Sequence, residues 1–177
     1  MTTNEVGGTK PIRLQNVLQV CVVVEDLQKA MQQYWEVFGI GPWEIGTFRS
    51  SDISNATLHG KPASFGMRGA VARIGNILWE LLQPLEGESA YREFLDKKGV
   101  GVHHVCVSVE NYDECVEEMQ KRGIGILMGG SLAGTSFVYM DTEKTLGTVI
   151  ELIKMPPNWA MAPQEVYPPN AKGSETK

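Results

Sequence analysis

The apolar positions of this chain follow one pattern twice. Residues 19–26 read QVCVVVED and residues 104–111 read HVCVSVEN. Val20, Cys21, Val22, Val24 and Glu25 thus recur as Val105, Cys106, Val107, Val109 and Glu110. Leu14 to Val24 and Val102 to Val109 are nearly continuous in apolar character and predict buried strands. After the first strand Asp26 is an N-cap, and Leu27, Ala30, Met31, Tyr34 and Phe38 follow at helical spacing, with Gly39 ending the helix. After the second, Asn111 and Glu114 make a capping-box pattern, and Tyr112, Cys115, Val116 and Met119 form the helical stripe. Both copies then pass through Gly-Ile-Gly, at 39–41 and 123–125.

Further strands are predicted at 42–48, 65–73 and 76–83 in the first copy, the last two joined by a turn at Gly75-Asn76. In the second copy they fall at 125–127, 136–141 and 148–154. Residues 50–64, rich in Ser and Asn, read as a loop. Ser89 to Lys98 predicts a short helix joining the copies. Each copy is therefore β-α-β-β-β, a unit of roughly 60–80 residues that is marginal alone and must share a core with its twin. The organisation reads as an N-terminal arm (1–13), a first module (14–86), a linker (87–101), a second module (102–155) and a Pro-rich tail (156–177). The tail cannot form regular helix or central strand. It drapes over the body or over a second subunit, or stays disordered.

Composition narrows the picture only slightly. The chain has 177 residues and a net charge of -5, which argues against a nucleic-acid partner. No apolar run approaches the ~20 residues of a membrane span, and the N-terminus lacks the apolar core of a signal peptide. Cys21, Cys106 and Cys115 have no metal-type spacing and read as buried reduced thiols, as expected of a cytoplasmic protein.

The strands hold polar residues that need explaining. Glu80 sits inside ILWELL and Glu151 inside TVIELI, at matching places in the two copies. A carboxylate buried without a partner costs several kcal/mol. His104 occupies the position that Gln19 holds in the first copy. An imidazole, an amide oxygen and two carboxylates form a mixed N/O set suited to Zn²⁺, Ni²⁺, Co²⁺, Mn²⁺ or Mg²⁺. Strand alternation points His103 to the face opposite His104, where it is structural or supports the ligands from behind. His59 reads as solvated.

These stretches, together with GNILWELLQP, GVGVHHVCVSVEN and GTVIELIKMP, resemble the vicinal-oxygen-chelate superfamily, also called the glyoxalase/bleomycin-resistance/dioxygenase fold. The resemblance spans roughly Leu14 to Met155. It implies an α+β fold of two βαβββ modules in a pseudo-two-fold arrangement, forming a half-open, barrel-like cup around a metal site. It also implies metal ligands from the first and last strand of each module, here Gln19, Glu80, His104 and Glu151. The layout is similar to methylmalonyl-CoA epimerases and their relatives, whereas the Gln/Glu/His/Glu set resembles zinc-type glyoxalase I. Most members of the fold are homodimers, which sets that expectation here.

The expected function is a metal-dependent isomerase, epimerase or lyase that moves a proton next to a metal-bound carbonyl or hydroxyl oxygen. Glu151, ahead of Glu80, is the candidate general base. Trp43, Phe48, Phe65, Met67, Met128, Phe137 and Tyr139 are candidates to line a site for a small, partly apolar substrate. The alternatives are a drug-sequestering binding module, which would carry no metal, and an extradiol-type dioxygenase, against which the absence of a histidine at position 19 argues.

Overall fold

The computed structural model describes residues 12–157 and 162–169. In chain order the elements are β1 (Leu14–Val23), α1 (Leu27–Phe38), β2 (Trp43–Phe48), β3 (Ile53–Leu58), β4 (Lys61–Pro62), β5 (Phe65–Ile74) and β6 (Ile77–Gly87). Then follow α2 (Ala90–Lys98), β7 (Gly101–Val109), α3 (Tyr112–Lys121), β8 (Ile126–Leu132), β9 (Thr135–Met140), α4 (Glu143–Leu146), β10 (Val149–Lys154) and β11 (Glu165–Tyr167). The strands make one sheet in the order β11-β2-β5-β6-β1-β7-β10-β9-β8-β3-β4. The two copies meet edge to edge at the antiparallel β1–β7 pair. The last strand of each copy lies parallel to its first, β6 beside β1 and β10 beside β7.

The duplicated helices start and stop where their sequences direct. The Asp26 side chain accepts from the Lys29 N–H, and Asn111 accepts from Glu114. Gly39 takes a left-handed conformation (φ 65°) that lets its N–H return to the Trp35 carbonyl. Both helices cover the convex face. α1 buries Leu27 and Met31 against Val22, Val24, Trp43, Ile45, Ala70, Ala72 and Leu81. α3 buries Cys115 and Met119 against Val107, Val138, Met140 and Leu152.

The concave face carries a third core, which includes Cys21, Val23, Leu82, Phe137, Tyr139 and Val149. The linker helix α2 presses Tyr91 and Leu95 into it and plugs one end of the cup. The expected loop at 50–64 is different in the structure. After a 3-10 turn at Ser50–Asp52, the chain crosses to the far edge of the sheet, where β3 pairs with β8 of the other copy. Short connections on either side of β3 and β4 link this edge of the curved sheet back to β2 and β5, while the sheet itself stays unclosed. Among the described tail residues, β11 lies along β2, held by two hydrogen bonds between Gln164 and the Thr47 backbone and by a 3.1 Å ion pair between Glu165 and Arg68. The expected N-terminal arm lies almost entirely outside the described residues, as does part of the tail. Among the described residues no helix is long and apolar enough to cross a membrane.

Candidate metal centre

Sheet register brings the duplicated polar positions together. Cys21 of β1 lies opposite His104 on one side and Glu80 on the other. Cys106 of β7 lies opposite Gln19 on one side and Glu151 on the other. The reciprocity is that of a two-fold axis through the β1–β7 pair. It also explains why a small thiol recurs at 21 and 106. A short side chain between two long ones lets the long ones lean over it and meet.

They do meet. The Gln19 side-chain amide donates to Glu80 Oε2 at 2.8 Å. His104 Nε2 lies 3.4 Å from Glu80 Oε2 and 3.3 Å from Glu151 Oε2. His104 is fully buried and Glu151 is 4 % exposed. Yet His104 Nε2 and Glu151 Oε2 have no hydrogen-bond partner of adequate geometry. Buried polar atoms without partners are rare, and these two face each other with a second carboxylate beside them. A divalent cation satisfies all of them at once. The donor set, with one imidazole, one amide oxygen after rotation of the amide, and two carboxylates, fits such an ion. The Cys21 thiol is close by, with its sulfur, a Glu80 oxygen and a His104 nitrogen mutually within 4.8 Å.

The electrostatics agree. Burial disfavours a charged His104, but the nearby carboxylates of Glu151 and Glu80 outweigh it and raise the imidazole to about 9. In the metal-free protein a proton occupies the place of the cation. Burial, reinforced by the same two carboxylates, holds the Cys21 and Cys106 thiols well above their usual range, so both stay protonated. Tyr91 and Tyr139 are raised in the same way, burial again leading, and their hydroxyls share a 2.7 Å hydrogen bond.

His103 departs from the sequence expectation. Strand β7 shifts register opposite Cys21 and Val22, a bulge that turns consecutive residues to one side. His103 therefore points inward with His104, 2 % exposed, and its Nδ1 lies 2.9 Å from His104 Nδ1. Burial first, then the charge on His104, lowers His103 to about 3, so it is neutral.

The candidate lining residues divide between the two faces. Phe65, Met67, Met128, Phe137 and Tyr139 belong to the concave core, and the Tyr139 ring lies 4.8 Å from that of His104. Phe48 is on the concave side of β2, its ring covering Gly46 so closely that a Cβ there would come within 2.6 Å of it. Trp43 is not in the cup. It is fully buried on the convex face beneath α1, packed edge-on to Tyr34. The reason is alternation: Trp43 and Ile45 face the helix, so Glu44 between them projects into the cup. Register aligns Glu44 with Val71 and Val71 with Glu80. This puts Glu44 two strands, roughly 10 Å, from Glu80 on the same face. The alternation in WEIGTF carried that signal, which sequence reading missed. His59 pairs with Glu93 at 2.9 Å in a cleft also lined by Leu58, Lys61 and Glu88, which shares no residue with the metal-ligand set.

Comparison with known proteins decides the family. The profile of the Glyoxalase/Bleomycin resistance protein/Dioxygenase superfamily matches residues 18–139. The chain belongs to this superfamily. Among curated relatives of this superfamily member, the mitochondrial methylmalonyl-CoA epimerase of Bos taurus is 30% identical over 150 residues, 82% of this chain and 78% of the bovine protein. That of Mus musculus is 29% identical over 144 residues, 79% and 73% of the two chains. Solved structures share the fold. The methylmalonyl-CoA epimerase of Mycobacterium tuberculosis superposes with a TM-score of 0.62 at 18% identity, covering 85% of this chain and 95% of that one. A methylmalonyl-CoA epimerase in complex with methylmalonyl-CoA and NH4+ gives 0.62 at 19% identity, covering 82% and 97%.

Proposed function

We propose that this protein is a metal-dependent epimerase acting at the carbon next to a carbonyl, with an acyl-CoA thioester of the methylmalonyl type as substrate. The observation that carries the reading is the convergence of Glu151 Oε2 and Glu80 Oε2 on His104 Nε2, at 3.3 and 3.4 Å, with His104 Nε2 and Glu151 Oε2 buried without a hydrogen bond and Gln19 beside them. The names of the curated relatives supply the substrate class. Gln19, Glu80, His104 and Glu151 would hold the cation, which supplies Lewis-acid polarisation of the substrate carbonyl.

The chain's own groups do the rest. Epimerisation breaks the Cα–H bond, its electron pair passing into the carbonyl as an enolate, and returns a proton to the opposite face. Two acid–base groups on different sides of the carbon suit this task. Glu80 is bonded to the Gln19 amide, which makes Glu151 the preferred base. Glu44, on the wall formed by the first module, is placed to serve the other face. Phe48, Phe137 and Tyr139 exclude water around the enolate, which strengthens each electrostatic contact. The assembly is expected to be a homodimer.

Incubation with one epimer of methylmalonyl-CoA in D2O tests the reading. Inversion at C2 with incorporation of solvent deuterium is expected, reduced by about 10²-fold or more in Glu151→Gln. A metal-loaded protein that neither inverts nor exchanges this thioester, or any other 2-branched acyl-CoA, overturns it.

A further inference from the structure

The β7 bulge sets two imidazoles against each other, Nδ1 to Nδ1 at 2.9 Å, their rings nearly perpendicular (89°). At that distance one Nδ1 carries the proton and the other offers a lone pair. Neutral His104 has two tautomers. With the proton on Nε2 that proton faces the Glu80 and Glu151 carboxylates, and no lone pair is left for a cation. With the proton on Nδ1, Nε2 is free to bind, but the Nδ1–H then needs a buried acceptor. In the described structure that acceptor is His103 Nδ1, which in turn requires His103 to keep its own proton on Nε2. We propose that His103 is the positioning residue of the site, accepting the His104 Nδ1–H and thereby holding His104 in the tautomer that can bind a cation.

The inference rests on the metal reading given above and adds the device that makes the site receptive. Ligating histidines commonly anchor their second nitrogen on a carboxylate or a backbone carbonyl. A neutral imidazole does the same job without adding negative charge, so Glu80 and Glu151 remain the only anionic donors. His103 is itself fixed, edge-on to Phe94 at 5.2 Å and to Tyr91 at 5.5 Å between ring centres. Its ring cannot swing away without breaking those contacts.

The test uses the full chain loaded with Zn²⁺ as probe. In ¹⁵N-labelled wild-type protein, the His104 Nδ1–H should show a scalar coupling across the hydrogen bond to His103 Nδ1. Zn²⁺ affinity, measured by competition with a chelator, should fall about 10–100-fold in His103→Leu. In His103→Gln, whose amide oxygen still accepts, most of the affinity should return. Should His103→Leu fail to fold, the coupling and the His103→Gln affinity still decide the matter. Zn²⁺ binding in the wild type with no such coupling, or with unchanged affinity in His103→Leu, overturns the positioning role and leaves the metal reading standing. Absence of Zn²⁺ binding in the wild type overturns both.

Discussion

The two halves of the candidate metal centre descend from the same repeated pattern but are not in the same state. In the first module Gln19 and Glu80 satisfy each other through a 2.8 Å hydrogen bond. In the second, His104 Nε2 and Glu151 Oε2 are buried and lie 3.3 Å apart without a well-formed hydrogen bond between them. The first half is a closed contact between neutral amide and carboxylate, while in the second a proton on His104 stands where the proposed cation would bind. Duplication supplied two equivalent pairs of positions, and substitution within them made one pair a support and the other a receptor. The imidazole partner follows the same division: His104 has His103 behind it, whereas Gln19, bonded to Glu80, needs no such partner.

The strongest break of this asymmetry is removal of the receptor half. His104→Ala and Glu151→Gln should each weaken metal binding by more than about 100-fold, beyond the range of changes behind the ligands. Metal content of the purified variants checks this.

A second effect comes from pH. In the metal-free protein His104 is raised to about 9, against an unfolded value near 6.5. Its contribution to stability is fully present below pH 6.5 and fades as pH rises to about 9. His103 is lowered to about 3, so its burial costs stability progressively as pH falls from 6.5 towards 3. Metal-free protein should therefore be most stable near neutral pH. The loss on the alkaline side should be of the order of 3 kcal/mol. Denaturant melts across this range measure it, and His104→Gln should flatten the alkaline limb.

Changes in the support half should be milder. Gln19→Leu removes a neutral amide-oxygen donor from the proposed set and should lower metal affinity by roughly ten- to a hundredfold without abolishing it. Smallest is Cys21→Ala, expected to cost about 1 kcal/mol of stability and to leave Zn²⁺ affinity unchanged. A large loss there would show that the thiol itself binds the ion.

The sequence pattern made the repeat and the meeting of Gln19, Glu80, His104 and Glu151 legible, because a shared register acts on every residue of a strand at once. Three features were not legible, each for a local reason. His103 was expected on the outer face because strict alternation was applied across a bulge that only the β1–β7 pairing creates. Strand β3 reads as loop in the sequence because residues 50–64 are rich in Ser and Asn. Its pairing partner β8 belongs to the other module, and Asn55 sits at a positive φ of 52° within it. Trp43 reads as a cup residue because it is one of the apolar residues near the site strands. Its neighbours Ala70 and Ala72, small residues on β5, instead make room for it beneath α1. Glu44 was overlooked for the converse reason, since a single carboxylate beside a turn looks like surface until Trp43 and Ile45 are both seen to face inward.

The central claim is that donors from both modules converge on one cation. Titration of metal-free protein with Zn²⁺ in a calorimeter tests it most directly. One ion per chain is expected, with binding weakened in Gln19→Leu and lost in both His104→Ala and Glu151→Gln. A wild-type chain that takes up no ion, or binding that survives both second-module variants, would contradict the account.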